Sequence, residues 1–317
     1  MKLFTRSSLQ VSEPYVRRNL AIYLLRREAE TPERPVLTLD EALRAGCARV
    51  HETGRVGELE IENLTGSELY AQAGDVVKGG WQDRALGQDF IIPKRTRLSR
   101  LRVPTFCVER ARWNRREDDP TADFFNSAEH MAASRDLKLS IRHQRSQTAV
   151  WNSVDAAQTK LSQALGTDIR AAASPTSLPL AVENPVVRRC LADYLVFGNL
   201  LMDNLDAVGF AFAINGRLNS ADLYASPDLF RKLWGKLLEA AALEALGEVD
   251  APGVTCATPT AREVSAWLRR ARRGRKTRHA VTSRITLVVR ENDGQVSFET
   301  MDAEQKNLCV HQNILAQ

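Results

Sequence analysis

The sequence predicts an α+β fold, in which a β-rich N-terminal portion forms a sandwich or partly closed barrel and packs against a helix-hairpin-helix C-terminal portion. Short apolar segments with strand-like alternation follow one another between residues 15 and 108. Segments with helical spacing of apolar residues begin at residue 146. Between two of these helices lies Asn215-Gly216, a dipeptide typical of a tight hairpin turn. Short strands at this spacing favour a sandwich or barrel over βαβ units.

The length of the chain, 317 residues, allows one large domain or two of medium size. We expect a single integrated domain over 1–317. Its β-rich sub-portion is 1–145, and its mixed α/β sub-portion is 146–317, which carries a basic segment at 262–278. A single domain is expected because each sub-portion alone would leave an apolar face exposed to water.

The composition is that of an ordinary globular protein, since 44% of the residues are hydrophobic and 26% are charged. The five cysteines are odd in number and never spaced as CxxC, which argues against a disulfide framework and a structural zinc site. No apolar run reaches the roughly 20 residues of a membrane-spanning helix, and the start of the chain lacks the apolar stretch of a secretory signal. These features predict a cytoplasmic protein without a membrane partner.

The first half of the chain is predicted to contain one short helix among strands. Thr38 begins the helix, because its side chain can accept from free backbone amides and Glu41, three residues later, completes a capping box. Gly46 ends it. A polar, aperiodic stretch at 118–135 is predicted to be a loop. Strands are predicted at 15–25, 59–64, 69–71, 89–92 and 101–108.

The second half is predicted to combine helices with hairpins. Asn215-Gly216 joins strands at 208–214 and 217–223, because a type I′ turn needs positive φ at both central positions. The stretch at 171–179, rich in Ala, Ser and Pro, is predicted to be a surface linker. Helices are predicted at 146–165, 185–201, 227–246 and 260–273, and further strands at 285–289, 296–298 and 308–311.

The most chemically dense segment runs from Glu62 to Trp113. Its glycines allow positive φ and close approach of a ligand. Three acids are candidate catalytic residues, as general bases or ligands of a divalent metal: Asp75, Asp83 and Glu109. The candidate ligand-binding residues are Glu62, Asn63, Lys78, Gly79, Gly80, Gln82, Arg84, Arg112 and Trp113. A glycine-rich turn between strands needs no ligand, however, so a purely structural role stays open.

Several common types of site are excluded by spacing. Lys78-Gly79-Gly80 lacks the GxxxxGK[ST] pattern of a phosphate-binding loop. The five histidines show no HExxH spacing, and the GxSxG elbow of serine hydrolases is absent. Cys107, between Phe106 and Val108, is more typical of a buried strand cysteine than of a nucleophile. No particular cofactor or oligomeric state is predicted.

Positive charge is concentrated near the C-terminus. The net charge of +5 is too small to indicate a nucleic-acid partner by itself, but the stretch RRARRGRKTR contains no acid. Its candidate nucleic-acid contacts are Arg269, Arg270, Arg272, Arg273, Arg275, Lys276 and Arg278. Charge runs are usually solvated, so a plain exposed helix end or linker is the alternative.

Four stretches, in this order, resemble the ARG and Rhodanese-Phosphatase-superfamily-associated protein domain family: ENLTGSELYAQAGDVVKGGWQDRALGQDFIIP, PTFCVERARW, SQTAVW and VGFAFAINGRLNSADLYASPDLFRKLWGKLLEA. The similarity covers the chain from about Leu20 to the C-terminal hairpin. It implies a role near NAD or ADP-ribose metabolism, because the family is associated with ADP-ribosylglycohydrolase, rhodanese and phosphatase proteins. It assigns no catalytic residue, and the basic stretch is not part of the pattern.

The sequence favours one function and leaves two alternatives open. The first is binding, with or without hydrolysis, of a phosphorylated nucleotide derivative such as ADP-ribose, in which Arg84, Arg112 and Lys78 hold phosphate. The second is nucleic-acid binding through residues 269–278. The third is a scaffold or partner-binding module without chemistry, in which the glycine motif serves folding alone.

Overall fold

The computed structural model describes residues 9–27, 36–95, 100–110, 112–114, 125–126, 133–203, 206–249 and 256–317. Helix accounts for 34% and strand for 36%, and one sheet curls into a half-barrel, so the α+β class is confirmed. The strands are β1 Leu9–Val11, β2 Tyr15–Arg17, β3 Leu20–Arg27, β4 Leu37–Thr38, β5 Ala48–Glu52, β6 Glu58–Asn63, β7 Leu69–Ala71, β8 Val76–Lys78, β9 Arg84–Leu86, β10 Phe90–Ile92, β11 Arg100–Cys107, β12 Phe125–Asn126, β13 Ala207–Ile214, β14 Arg217–Tyr224, β15 Arg275–Ala280, β16 Ile285–Asn292, β17 Gln295–Asp302 and β18 Leu308–Ala316.

Seven α-helices accompany the strands in the described residues. They are α1 Leu39–Arg44, α2 Arg135–Lys138, α3 Gln147–Leu165, α4 Leu178–Val182, α5 Pro185–Asn199, α6 Pro227–Gly247 and α7 Ala261–Arg270. A π-helix at Leu139–Gln144 continues α2, and short 3₁₀ helices lie at Leu200–Asp203 and Ala303–Gln305. The predicted capping box at Thr38 is confirmed, since its side chain accepts from the Glu41 amide and Glu41 caps it in return.

The chain divides into two compact units. The first comprises the described residues of Met1–Arg34, Phe197–Trp234 and Val249–Gln317. Its nine-stranded antiparallel sheet has the order β1-β3-β13-β14-β18-β17-β16-β15, and β2 also pairs with β3. Helix α7 covers part of one face, where Trp267 and Leu268 pack with Tyr23 and Ala211. The N-terminal strands and the C-terminal hairpins therefore share one sheet.

The second unit comprises the described residues of Pro35–Val196 and Gly235–Glu248. It contains a six-stranded sheet of order β12-β8-β9-β11-β6-β5 and a three-stranded sheet of order β10-β7-β4. Val76 and Ala85 from the strands, and Val108 directly after β11, pack with Ile141 and Val150 from the helices to form its core. The expectation of one integrated domain over 1–317 stays a prediction.

The predicted hairpin at Asn215-Gly216 is confirmed, with φ of 48° and 73° at the two residues. Its strands lie in the middle of the nine-stranded sheet, between β3 and β18. A helix-hairpin-helix portion packed on an N-terminal sheet is therefore not confirmed. The hairpin pairs with β3 through backbone hydrogen bonds between residues nearly 200 positions apart, which no local pattern predicts.

Element ends differ from the predictions in several places, and the predicted strand at 15–25 is two strands, β2 Tyr15–Arg17 and β3 Leu20–Arg27. Helix α7 ends at Arg270, before the predicted residue 273. Strand β18 extends to Ala316 rather than stopping at 311. Its polar residues His311 and Asn313 can be buried because both hydrogen-bond to Asp222 at 2.9 Å. The loop predicted at 118–135 lies mostly outside the described residues.

Candidate functional site

The turn between β8 and β9 holds two adjacent glycines in the left-handed region, with φ of 119° at Gly79 and 54° at Gly80. The amide of Gly79 donates to Asp83 Oδ1 at 2.9 Å, and the amide of Trp81 donates to Glu52 Oε1 at 2.8 Å. Successive amides of such a turn are well placed to bind an anion. Here the protein's own carboxylates already accept from two of them.

Asp83 and Glu109 meet Arg112 beside this turn, and we call these three residues the Arg112 cluster. Arg112 Nε donates to Glu109 Oε1 at 2.8 Å, and its Nη2 lies 2.6 Å from Glu109 Oε2 and 3.6 Å from Asp83 Oδ1. Arg112 Nη1 also donates to the carbonyl of Gly80 at 2.9 Å. Both carboxylate side chains are 0% exposed. One guanidinium thus ties two buried acids to the glycine turn.

Two serines hydrogen-bond to the acids of the Arg112 cluster, and both come from the stretch predicted as a surface linker at 171–179. Ser174 Oγ donates to Glu109 Oε1 at 2.6 Å, and Ser177 Oγ donates to Asp83 Oδ2 at 2.8 Å. Both serines are buried, so the linker prediction is wrong at these positions. Ser177 is also the N-cap of α4. A serine just before a proline-containing first helical turn was the one sequence signal for it.

Arg84 lies near the Arg112 cluster and is fully buried. Its Nε donates to the carbonyl of Val56 at 3.1 Å and its Nη1 donates to Gln82 Oε1 at 3.0 Å, whereas Nη2 has no hydrogen-bond partner among the described residues. Burial lowers the pKa of this guanidinium, as expected for a charge removed from water. The guanidinium carbon lies 5.4 Å from the ring centroid of Trp113, within cation–π range.

Trp113 reaches solvent, with 43% of its surface exposed. Its ring meets that of Trp81 edge to face, with centroids 5.1 Å apart and an interplanar angle of 70°. Trp113 therefore presents ring surface to solvent while Trp81 and Arg84 contact other parts of the ring. An aromatic ring held in this way can stack on a planar ligand.

Two further candidates have ion pairs of their own. Lys78 Nζ lies 2.6 Å from Glu183 Oε1 and 2.7 Å from its Oε2. Asp75 pairs with Lys236, and its Oδ2 accepts from the amide of Gln72 at 3.0 Å. Asp75 and Lys236 are both buried. Lys78 is therefore already neutralised by a carboxylate, and Asp75 belongs to a different ion pair from the Arg112 cluster.

Glu62 and Asn63 lie at the end of β6 and have structural partners. Glu62 Oε2 lies 2.9 Å from His51 Nε2, and this hydrogen bond lowers the pKa of the Glu62 carboxyl. The buried side-chain amide of Asn63 donates to the carbonyls of Ser67 and Pro93, each at 2.8 Å. Asn63 therefore stabilises the local backbone through these two hydrogen bonds and does not point to a ligand.

Metal and thiol chemistry find little support in the described part of the chain. No group of three or more His, Cys, Asp or Glu side chains there is placed to hold a metal ion. Burial raises the pKa of the Cys107 thiol, whose sulfur donates to the carbonyl of Glu109 at 2.6 Å. A raised pKa disfavours the reactive thiolate. Cys107 is a core cysteine of β11.

The seven basic candidates form a continuous stretch of the first unit, which we call the basic surface: Arg269, Arg270, Arg272, Arg273, Arg275, Lys276 and Arg278. All seven are exposed, as are all six residues of β15. Strand β15 lies at the end of the nine-stranded sheet and pairs with β16. Its other backbone edge is therefore an open sheet edge among the described strands.

The turn between α7 and β15 fixes the position of the basic surface. Gly274 has φ of 116°, and a Cβ there would lie 2.1 Å from the carbonyl oxygen of Glu291. The side-chain amide of Asn292 donates to the carbonyls of Arg270 at 3.0 Å and Arg273 at 3.1 Å. The backbone that carries the arginines is thus held against the β16–β17 hairpin, because glycine permits the close approach.

A family model for the ARG and Rhodanese-Phosphatase-superfamily-associated Protein domain matches residues 8–315. The match spans both the glycine turn and the basic surface. No curated protein and no solved structure matches the chain. No helix among the described residues has the length and apolar character to cross a membrane. A cytoplasmic location stays a prediction.

Proposed function

The chain belongs to the ARG and Rhodanese-Phosphatase-superfamily-associated Protein domain family, whose description names associated superfamilies and no activity of its own, and we propose from its surfaces that it binds nucleic acid. The observation that carries this proposal is that every arginine and lysine of the basic surface is exposed. Phosphate contacts by several such side chains give sequence-independent affinity, because they release condensed counterions from the nucleic acid.

The charges of the basic surface are crowded. Arg275 has a partner in Glu291, with Nη2 and Oε2 3.6 Å apart, but an exposed pair of this kind contributes only about 0–1 kcal/mol. Partial desolvation of its guanidinium lowers the pKa of Arg272, the charge of Glu299 raises it, and the charge of Arg269 lowers it. A polyanion that contacts this surface would relieve the repulsion between like charges.

Two structural roles also use cations at these positions. Arg269 and Arg270 lie in the last turn of α7, where positive charge interacts favourably with the helix dipole. Charged side chains on β15 discourage pairing between the open sheet edges of two molecules. Strand alternation places Arg275 on one face of β15 and Lys276 with Arg278 on the other. Binding measurements distinguish these roles from recognition of phosphate.

The test is fluorescence anisotropy with a labelled 20-base-pair DNA duplex and a labelled single-stranded RNA at low salt. The triple variant Arg275→Gln, Lys276→Gln, Arg278→Gln should lose affinity by about tenfold or more, since it removes two or three phosphate contacts. A matched control, Arg55→Gln, Arg100→Gln, Arg102→Gln, removes the same charge from exposed positions of the second unit. Equal losses in both triples, or no binding of either nucleic acid by the native protein, would reject the proposal.

A second candidate function is favoured by Trp113: binding of a phosphorylated nucleotide derivative related to NAD or ADP-ribose. The exposed indole, supported by Trp81 and by the Arg84 guanidinium, suits stacking on a base. Hydrolysis by Asp83 or Glu109 would require the Arg112 cluster to open. Each of their four carboxylate oxygens already accepts a hydrogen bond within the protein. We therefore propose binding at this site, with the acids organising the turn.

Tryptophan fluorescence tests the second candidate. Titration with ADP-ribose, NAD and AMP should quench the native protein in a saturable way, and Trp113→Leu should abolish the quenching. Trp113→Phe should retain part of the affinity, because a phenyl ring still stacks. Unchanged affinity in Trp113→Leu, or no saturable quenching by any of the three ligands, would remove this candidate.

A further inference from the structure

The basic surface has two sides, because β15 is exposed on both of its faces and α7 adjoins only one of them. Helix α7 meets β17 at two points. Gln295 Nε2 donates to the carbonyl of Trp267 at 3.1 Å. Ser297 Oγ donates to the carbonyl of Ala271 at 3.3 Å. Gln295 and Ser297 therefore mark the face of the sheet that carries α7, and we call its continuation over β16 and β15 the helix-side face.

The strand register places three cations on the helix-side face. Directly paired residues of antiparallel strands project to the same face of a sheet. Ser297 pairs with Arg290, and Arg290 pairs with Lys276, so both cations share the face of Ser297. Arg278 lies two residues after Lys276 on β15, and side chains alternate along a strand. Arg278 therefore projects to the helix-side face as well.

The other arginine of β15 belongs to the opposite face. Arg275 pairs directly with Glu291 of β16, and the ion pair between their side chains, 3.6 Å from Nη2 to Oε2, agrees with a shared face. Arg275 and Arg278 are both exposed, but they project to opposite sides of the sheet. A nucleic acid that lies along one face would therefore contact one of these two arginines and not the other.

Positive charge from the end of α7 joins the helix-side face. Partial desolvation lowers the pKa of Arg272, and the charge of Glu299 raises it, so Arg272 lies near Glu299. Glu299 is two residues after Ser297 on β17 and shares its face. The helix-side face thus gathers cations from α7, β15 and β16, and a larger number of phosphates can be neutralised there than on the opposite face.

One cation of the helix-side face is held by an acid. Arg290 Nε donates to Glu299 Oε1 at 3.0 Å. Both side chains reach solvent, with 22% of Arg290 and 14% of Glu299 exposed. A guanidinium binds carboxylate and phosphate oxygens in the same geometry. Glu299 therefore occupies the hydrogen-bonding position on Arg290 that a phosphate would take.

We propose, resting on the nucleic-acid binding proposed above, that the phosphate backbone lies on the helix-side face and that Glu299 competes with phosphate for Arg290. Lys276 and Arg278 contact phosphate directly. Arg290 becomes a further phosphate contact when Glu299 releases it. Glu299 thus limits the affinity of the basic surface, and Arg290 is a binding residue outside the stretch RRARRGRKTR.

Two single arginine variants test the choice of face, with the labelled 20-base-pair duplex and the full chain. At about 0.1 M salt, Arg278→Gln should weaken binding about fivefold, because it removes one phosphate contact. Arg275→Gln makes the same change on the opposite face of the same strand and should weaken binding less than about twofold. Equal losses, with the native protein binding, would overturn the face assignment and leave nucleic-acid binding in place. No binding by the native protein would overturn both.

Two glutamate variants test the competition for Arg290. Glu299→Gln should tighten duplex binding about threefold or more and steepen the salt slope by up to about 0.9, the value of one more contact. Glu291→Gln, the matched change on the opposite face, should tighten it less than about twofold. Arg290→Gln should weaken binding several times more in the Glu299→Gln background than in the native protein. No tightening by Glu299→Gln, equal tightening by Glu291→Gln, or the same effect of Arg290→Gln in both backgrounds would overturn the competition.

Discussion

The glycine turn with its Arg112 cluster and the basic surface are both short, charge-dense stretches around glycine, yet their charges have opposite surroundings. In the Arg112 cluster, Asp83 and Glu109 are fully buried and every carboxylate oxygen has a donor. On the basic surface, all seven cations are exposed, and Arg275 lies 3.6 Å from the carboxylate of Glu291. The two regions are alike in charge density and differ in burial.

The difference also explains why the glycines matter for different reasons. The turn formed by Gly79 and Gly80 directs the Gly79 amide to Asp83 and the Trp81 amide to Glu52, so these two amides bind carboxylates of the same chain. Gly274 lets an arginine-bearing segment pass close to Glu291, which keeps the arginines outside. In the first case the glycine conformation places carboxylates in hydrogen bonds inside the protein. In the second it leaves the arginines exposed to solvent.

The largest expected effect comes from Arg112→Met, which leaves Asp83 and Glu109 buried without their cation. Removing one partner of a buried ion cluster costs about 3–5 kcal/mol. We expect a loss of that size in the free energy of unfolding, measured by urea denaturation. Arg275→Met on the exposed surface should change it by less than about 0.5 kcal/mol. Similar stabilities for the two variants would break the comparison.

Gly274→Ala is expected to have the next largest effect. Its Cβ would lie 2.1 Å from the Glu291 carbonyl oxygen in addition to the strain of positive φ, so we expect a loss of at least about 2 kcal/mol. Gly294 also has positive φ, but no atom of the described residues would lie within 4 Å of a Cβ there, so Gly294→Ala should cost about 1 kcal/mol. Thermal unfolding of both variants distinguishes the cost of the close contact from the cost of positive φ. Equal losses of stability would show that the contact with Glu291 adds no cost.

Ser177→Ala tests whether the hydrogen bond from Ser177 to Asp83 stabilises the fold. It removes both the cap of α4 and a hydrogen bond to the buried Asp83 carboxylate, and should cost about 2 kcal/mol. Ser146→Ala removes only the cap of α3 and should cost about 1 kcal/mol. Urea midpoints measure both losses. A loss for Ser177→Ala no larger than that for Ser146→Ala would show that the hydrogen bond to Asp83 contributes nothing.

The smallest expected effect concerns Asp40, a buried acid with a raised pKa. Burial raises it, although Lys236 and Arg44 act in the opposite direction. A carboxyl whose folded pKa exceeds its unfolded pKa stabilises the fold when protonated, and this contribution is lost as pH rises through the folded pKa. Asp40→Asn should therefore be more stable relative to the native protein at pH 7 than at pH 3. The opposite trend in urea midpoints would show that the charges of Lys236 and Arg44 outweigh burial.

Local signals made part of the fold predictable. The capping box at Thr38, the type I′ dipeptide Asn215-Gly216 and the helical spacing of α3 each act within a few residues, and each is found where expected. Strand β15 was not predictable in this way, because its sequence RKTRHA contains no apolar alternation and is exposed on both faces. Its strand conformation comes from pairing with β16.

The candidate site was predictable in its residues but not in its connections. The sequence singles out Asp83, Glu109 and Arg112, and the structure brings these three together. The sequence does not indicate that Ser174 and Ser177 donate hydrogen bonds to these acids, since the contacts join positions 65 and 94 residues apart. Whether an acid faces water or a serine is decided by tertiary packing.

The salt dependence of duplex DNA binding tests the central claim most directly, because its slope reports how many phosphates the protein neutralises. The slope of log affinity against log salt should become shallower by about 2 to 3 when Arg275, Lys276 and Arg278 are replaced by glutamine, at about 0.9 per contact. The control triple at Arg55, Arg100 and Arg102 should keep the native slope. A native slope in the first triple, or an equal reduction in both, would contradict the assignment of nucleic-acid binding to the basic surface.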